Sequence, residues 1–126
     1  MADRERGTAV VEFVLVMVLL VPLVLGIAQV ALVLHVRNTL ASAASEGARA
    51  SASLGATPED GAQRARSMIR RALDDRYARD VRSSWTTVDG LPGAEVEVHA
   101  SVPALGLFGP SVPVSVSGHA VREVEP

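Results

Sequence analysis

Two places in this 126-residue chain set ionisable side chains where they could do chemistry. The first is Glu12, beside Phe13, at the mouth of a run from Phe13 to Val36 that carries no charge when histidine is counted neutral. A carboxylate bordering so apolar a stretch is costly. It is therefore either a functional group or an interfacial glutamate at headgroup depth that marks the helix start. The second is a pair. If the two C-terminal alternating segments pair with Val102 opposite Val112, Glu95 falls opposite His119. That is half of an acid–base or metal site, or a surface cross-strand contact worth roughly a few tenths of a kcal/mol. His99 then falls opposite Ser115, so no third ligand is evident. His35, at the outer end of the apolar run, reads as interfacial. There is no Gly-rich phosphate loop and no Ser-His-Asp arrangement. The expectation is that the chain is not an enzyme and holds no cofactor or metal.

Composition narrows the classes further. The net charge is -2, and all 12 basic residues are arginine, so nothing global favours nucleic acid. Aromatics make up 3% of the residues, too few for a base-stacking platform. With no cysteine, a disulfide framework and thiolate metal sites are excluded.

The element that positions Glu12 is the run itself. Phe13 to Val36 is 24 residues, about 36 Å of helix and enough to cross a hydrocarbon core with some tilt. Pro22 would break a soluble helix but is tolerated in a spanning one. Arg4 and Arg6 with Ala41-Ser42-Ala43 could imitate a cleaved signal peptide, but the run is too long for that class. Arg4 and Arg6 before the run and Arg37 and Arg49 after it leave only a weak positive-inside bias. The placement expected is N-in with the C-terminal domain outside.

A charged leader, Asp3-Arg4-Glu5-Arg6, precedes Gly7-Thr8-Ala9-Val10-Val11-Glu12-Phe13. Glycine, four residues, glutamate and an aromatic resembles a type IV prepilin cleavage site of the Flp (tight-adherence) branch. With the Val/Leu run, Pro22, Gly26-Ile27, Gln29 and the Ala/Gly/Arg continuation Ala41 to Ala50, the chain is similar to the TadE-like family. The similarity is good from Gly7 to about Ala50 and only in outline beyond. It implies a cut between Gly7 and Thr8, and a Glu12 that pairs with the new N-terminal ammonium of a neighbour and sets subunit register beside Phe13. It also implies partners: the membrane, a prepilin peptidase, the major Flp pilin and other minor pilins, and, indirectly, the assembly platform proteins and their ATPase. The location implied is the bacterial cytoplasmic membrane, with incorporation into a pilus as a further step.

Beyond the span, Val36, Leu40, Ala44, Gly47, Ser51 and Leu54 recur at helical spacing, which predicts a helix continuing to about Leu54 and stopped by Gly55-Ala56. Thr57-Pro58-Glu59-Asp60 is a second helix start, with an apolar stripe of Ala62, Ala65, Ile69, Ala72, Leu73 and Tyr77. Arg64, Arg66, Arg70 and Arg71 lie mostly off the stripe, as a solvated face or a patch for anionic lipid or a partner. The period then becomes two. Val81–Val88 is a strand carrying the core tryptophan Trp85, residues 89–93 are a turn, and Ala94–Val102 and 112–120 alternate as strands. Pro113 points to an edge position or a strand start. Pro103 to Pro110 is a loop whose Leu105, Leu107 and Phe108 either lid the open end of the sheet or dock on a subunit or membrane.

The predicted fold is α+β and pilin-like: a long N-terminal transmembrane helix extended into a small head with a second helix and a three-stranded antiparallel sheet. The units expected are a leader at 1–7, a transmembrane helix at 8–36, a helical extension at 37–56 and an extracytoplasmic head at 57–126. Three functions compete: a minor pilin or pseudopilin of a Flp-type (Tad) pilus or related secretion system, an uncleaved single-pass accessory protein of an envelope or secretion complex, and a small domain released near Ala43. The mature N-terminus separates them: Thr8, residue 1 or 2, or a position near Ala44.

Overall fold

The structure, a computed structural model, describes residues 2–104 and 111–124. Its spine is one helix, α1 (Ala2–Ala52), 51 residues long with Pro22 inside it. From Asp3 to Ile27 almost every side chain is exposed, the apolar ones included. This is the one helix among the described residues long and apolar enough to cross a membrane. From Val36 onward the same helix becomes the floor of a domain core, with Val36, Leu40, Ala43, Ala44 and Ala48 fully buried.

Five residues of the expected stripe behave as read and one does not. Gly47 and Ser51 are buried with Val36, Leu40 and Ala44, and Gly55 adopts φ +78 just past the helix, but Leu54 is 60% exposed. The helix ends two residues earlier than the spacing suggested, at Ala52, so Leu54 sits past the last turn. Helix α2 (Pro58–Ala72) begins with the expected cap. Thr57 Oγ1 accepts from the Asp60 backbone N–H, and Asp60 Oδ2 accepts from the Thr57 N–H at 2.7 Å, a reciprocal box that satisfies two orphan donors. Ala62, Ala65 and Ile69 are buried as read, whereas Ala72 is exposed and Tyr77 reaches the core from a separate 3₁₀ turn over Asp75–Ala78.

Strands β1 (Asp80–Val88), β2 (Leu91–Val102) and β3 (Val112–Val121) form an antiparallel meander in that order. The expected five-residue turn is shorter. Asp89 and Gly90, at φ 51 and 80, make the connection alone and β2 starts at Leu91, as two-residue hairpins with both central residues at positive φ do. Val102 pairs with Val112, Glu95 with His119 and His99 with Ser115, all as read. Pro113 lies on β3, an edge of the sheet. Leu105, Leu107 and Phe108 lie outside the described residues.

One sheet face packs on α1 and α2 through Val81, Val96, Val98, Val102 and Val114. The layers meet closely because small residues line the crossings. A Cβ on Gly118 would strike the backbone of Ala44 and Ser45, and one on Gly61 would strike Ser51 and the Gly47 carbonyl. Arg66, expected on a solvated face, instead ties layers together: its guanidinium donates to the Val81 carbonyl at 3.1 Å and to Glu59 at 3.0 Å.

Trp85 is not a core residue. It lies on the same sheet face as Val81, but near the hairpin end, and is 43% exposed. Arg122 stacks over its ring at 4.3 Å from the centroid. Replacing Arg122 by alanine is expected to cost about 0.5–1 kcal/mol and to red-shift Trp85 fluorescence. An unchanged spectrum would refute the stacking.

Candidate functional site

Gly7, Thr8, Glu12 and Phe13 all lie in the first quarter of α1, and all are exposed. They are placed by helical geometry alone. Arg4, Glu5, Thr8, Ala9 and Glu12 line one shallow surface. Thr8 Oγ1 donates to the Arg4 carbonyl at 2.9 Å. Glu12, one turn after Thr8, shares its face, and helical side chains tilt toward the N-terminus, so the carboxylate leans toward the Thr8 level. Among the described residues, no other element comes near this segment.

Gly55 and Gly90 serve positive φ, and the other described glycines divide into two kinds. Gly47, Gly61, Gly93 and Gly118 are required by packing, because an added Cβ would collide with a neighbouring element. Gly7 and Gly26 are not, since a Cβ on either meets nothing within 4 Å and neither has a positive φ. Glycine in a helix interior costs about 1 kcal/mol relative to alanine. At Gly7 nothing in the fold offsets that cost, so whatever favours glycine there acts from outside the folded chain. Gly26 is the same, and with Pro22, Leu23, Ile27, Val30, Ala31 and Leu34 it lines an apolar groove along the helix.

Residues 7–49 match the family model for TadE-like protein. The match starts at the unexplained glycine and ends where α1 is buried beneath the sheet. No curated protein and no solved structure matches the chain. The match over residues 7–49 suggests involvement in a Tad pilus-related system, and together with the long apolar helix it fits a membrane-anchored protein.

The other pair of ionisable residues lies far from the TadE-like helix start, on the outer face of the sheet. His119 Nε2 stands 3.1 Å from Glu95 Oε2, and His99 Nε2 stands 3.7 Å from Glu97 Oε2. Among the described residues no group of three or more His, Cys, Asp or Glu is placed to hold a metal ion. Glu95 is raised above 4.5, first because it hydrogen-bonds Glu97 and then because it is partly desolvated, against the lowering influence of His119. Glu97 is lowered, chiefly by the same bond. The two shifts have the same first cause, the hydrogen bond between the carboxyls, and oppose each other. Stability from the raised Glu95 is present in acid and lost as pH rises through its folded value, above 4.5. That from the lowered Glu97 is present at and above 4.5 and lost as pH falls through its folded value, below 4.5. Glu97→Gln is expected to bring the Glu95 carboxyl down, read by carbon-detected NMR titration. A Glu95 titration that stays put would show that Glu97 is not what raises it.

The sequence reading missed two structural positions. Gln29 Nε2 donates to the Pro103 carbonyl at 3.3 Å, tying the head to the helix. The signal available was a lone amide inside an apolar run. The stack of Arg122 on Trp85 had no signal, because the two residues are brought together only by the sheet.

Proposed function

We propose that the chain is a minor pilin or pseudopilin of a Tad (Flp-type) pilus or related secretion system, and that its role is structural rather than enzymatic. The observation that carries this is Gly7: a helix-interior glycine that packing does not require, at the start of the TadE-like segment, five residues before Glu12. A prepilin peptidase that reads glycine at the cut would account for it. Cleavage of the Gly7–Thr8 bond removes Arg4, whose carbonyl now accepts from the Thr8 hydroxyl. It also turns the Thr8 nitrogen into an ammonium one turn below Glu12.

Glu12 is then the fifth residue of the mature chain, next to the positive end of the helix dipole. A carboxylate in low dielectric is tolerated when paired, and pairing with the ammonium of a neighbouring copy or of the major pilin fixes register. Phe13 begins the apolar surface that such a neighbour covers. In this reading the N-terminus lies on the cytoplasmic side, the head lies outside, and assembly-platform proteins and their ATPase extract the helix into a pilus.

The test is the N-terminal residue of the protein purified from its native membrane, by intact mass and peptide sequencing. Thr8 is the expected first residue. An intact N-terminus would leave an uncleaved accessory anchor, and a start near Ala44 would remove the anchor altogether.

A further inference from the structure

We infer that the helix-proximal rim of the head, formed by Pro103, Ala104, Ser111 and Val112 with Leu32 and Val33, is a lipid-binding surface that sits within the outer leaflet of the membrane that α1 crosses. This rests on the membrane-anchor reading and adds to it where the head lies in depth.

Two boundaries on α1 disagree. On the face covered by the head, the domain begins at Gln29, whose side chain reaches Pro103, with Leu32 and Val33 half-buried against the core. On the opposite, uncovered face the helix stays apolar five residues further: Val30 is 60% exposed, Ala31 is exposed and Leu34 is 54% exposed. Only then does that face turn polar, with His35, Arg37 and Asn38 all exposed. Five residues of helix are about 7.5 Å. The rim of the head therefore hangs about 7.5 Å below the level at which the bare face becomes wettable.

Length decides which boundary the membrane uses. If the hydrocarbon stopped at the head, only Phe13 to Ala28 would span it. Those 16 residues make about 24 Å, short of a core of about 30 Å. Running from Phe13 to Leu34 gives 22 residues and about 33 Å, which fits and leaves Glu12 at the inner edge. The apolar groove from Pro22 to Leu34 is continuous across the head's lower edge, so the lipid-facing surface continues past that edge.

The rim suits immersion. Among the described residues, 100–104 and 111–118 carry no charge, while His99 and His119 stand at either side of them. Pro103, Ala104 and Val112 are half-buried, and Pro113 and Ser111 are exposed without a charge between them. The opposite end of the sheet carries Arg122, Glu123 and Asp89, all exposed. The rim at the β2–β3 end is thus uncharged, while charges flank it: Asp80 shares a surface with His99, Ser101 and Pro113, and Arg71, Asp74, Asp75 and Arg79 are exposed where α2 ends beside Asn38 and Thr39.

The full chain in vesicles of phosphatidylcholine brominated on the acyl chain near the headgroup tests this through tryptophan quenching. Trp85 is a built-in reference, since its partner Ala94 is eight residues up β2 from Val102, about 26 Å away. In a Trp85→Phe background, Ala104→Trp and, as a second probe at an exposed position, Ser111→Trp are compared with Leu20→Trp in the span. The expected result is several-fold stronger quenching of both rim probes than of native Trp85, with Leu20→Trp quenched by bromines deeper in the chain. Rim probes no more quenched than Trp85, with Leu20→Trp still quenched, would place the head in water and overturn the inference. An unquenched Leu20→Trp would instead overturn the anchor on which it rests.

Discussion

Gly118→Val is expected to lower the melting temperature of the detergent-solubilised protein by about 15 °C, corresponding to about 3 kcal/mol in a domain of this size. Gly118 sits on β3 opposite Val96, facing α1. Even the first carbon of a side chain there meets the carbonyl carbon and oxygen of Ala44 and the nitrogen of Ser45. These are backbone atoms in the middle of a helix, so no rotamer change relieves the clash. Valine adds two further methyls to the same space. The sheet must lift off α1, uncovering Val36, Leu40 and Ala44, which are fully buried. Gly26→Ala is the control, because its new methyl meets open space. An unchanged melting temperature for Gly118→Val would mean that α1 and β3 do not meet at Ala44.

The second large effect is functional and leaves the fold alone. Gly7→Leu is expected to abolish the appearance of a Thr8 N-terminus in the native membrane, while the melting of the head is unchanged. Leucine at Gly7 has room, and in an exposed helix it improves local propensity by roughly 0.8 kcal/mol. A structural role for this glycine would therefore predict harm where helix physics predicts a slight gain. Intact mass of the wild type and the variant, purified in parallel, reads the outcome. Continued cutting before Thr8 in Gly7→Leu would show that the glycine is not what the peptidase reads.

Much of the head was legible in advance because strand periodicity is unforgiving. Side chains alternate faces with a period of two, so a one-residue slip would turn Val96 and Val98 outward and Glu95 and Glu97 inward. Parity settles the faces; the register was an assumption, Val102 opposite Val112, and with it Glu95 falls opposite His119, as the structure has it. Capping chemistry was equally local: Thr57 and Asp60 satisfy donors within one turn, and no distant residue enters. The segment from Gly7 to Phe13 is exposed on the helix start, so its residues are placed by helical geometry alone.

The misreadings share a different cause. Trp85 has the right parity for the core, but parity does not say how far the helical layer extends over the sheet, and its partner Ala94 leaves room for Arg122 to cover the ring instead. Leu54 and Ala72 have helical spacing, yet spacing does not say where a helix leaves the layer it packs on. The turn at Asp89-Gly90 was read too long because Leu91-Pro92-Gly93 looks like turn sequence, while pairing with Thr86, Thr87 and Val88 draws it into the strand.

By itself the sequence determined an apolar helix long enough to span, a carboxylate at its mouth, a glycine five residues before it and the faces of the strands. These follow from composition and from periods of 3.6 and 2, which are properties of the local backbone. Only the tertiary structure decided which glycines are packing glycines, because close approach depends on residues such as Gly118 and Ala44, 74 positions apart. It alone decided, too, that the head closes on α1 at Gln29, below the last apolar residue of the bare face. Hydropathy along one strand of sequence cannot carry that information, since a helix is covered on one side and bare on the other at the same height.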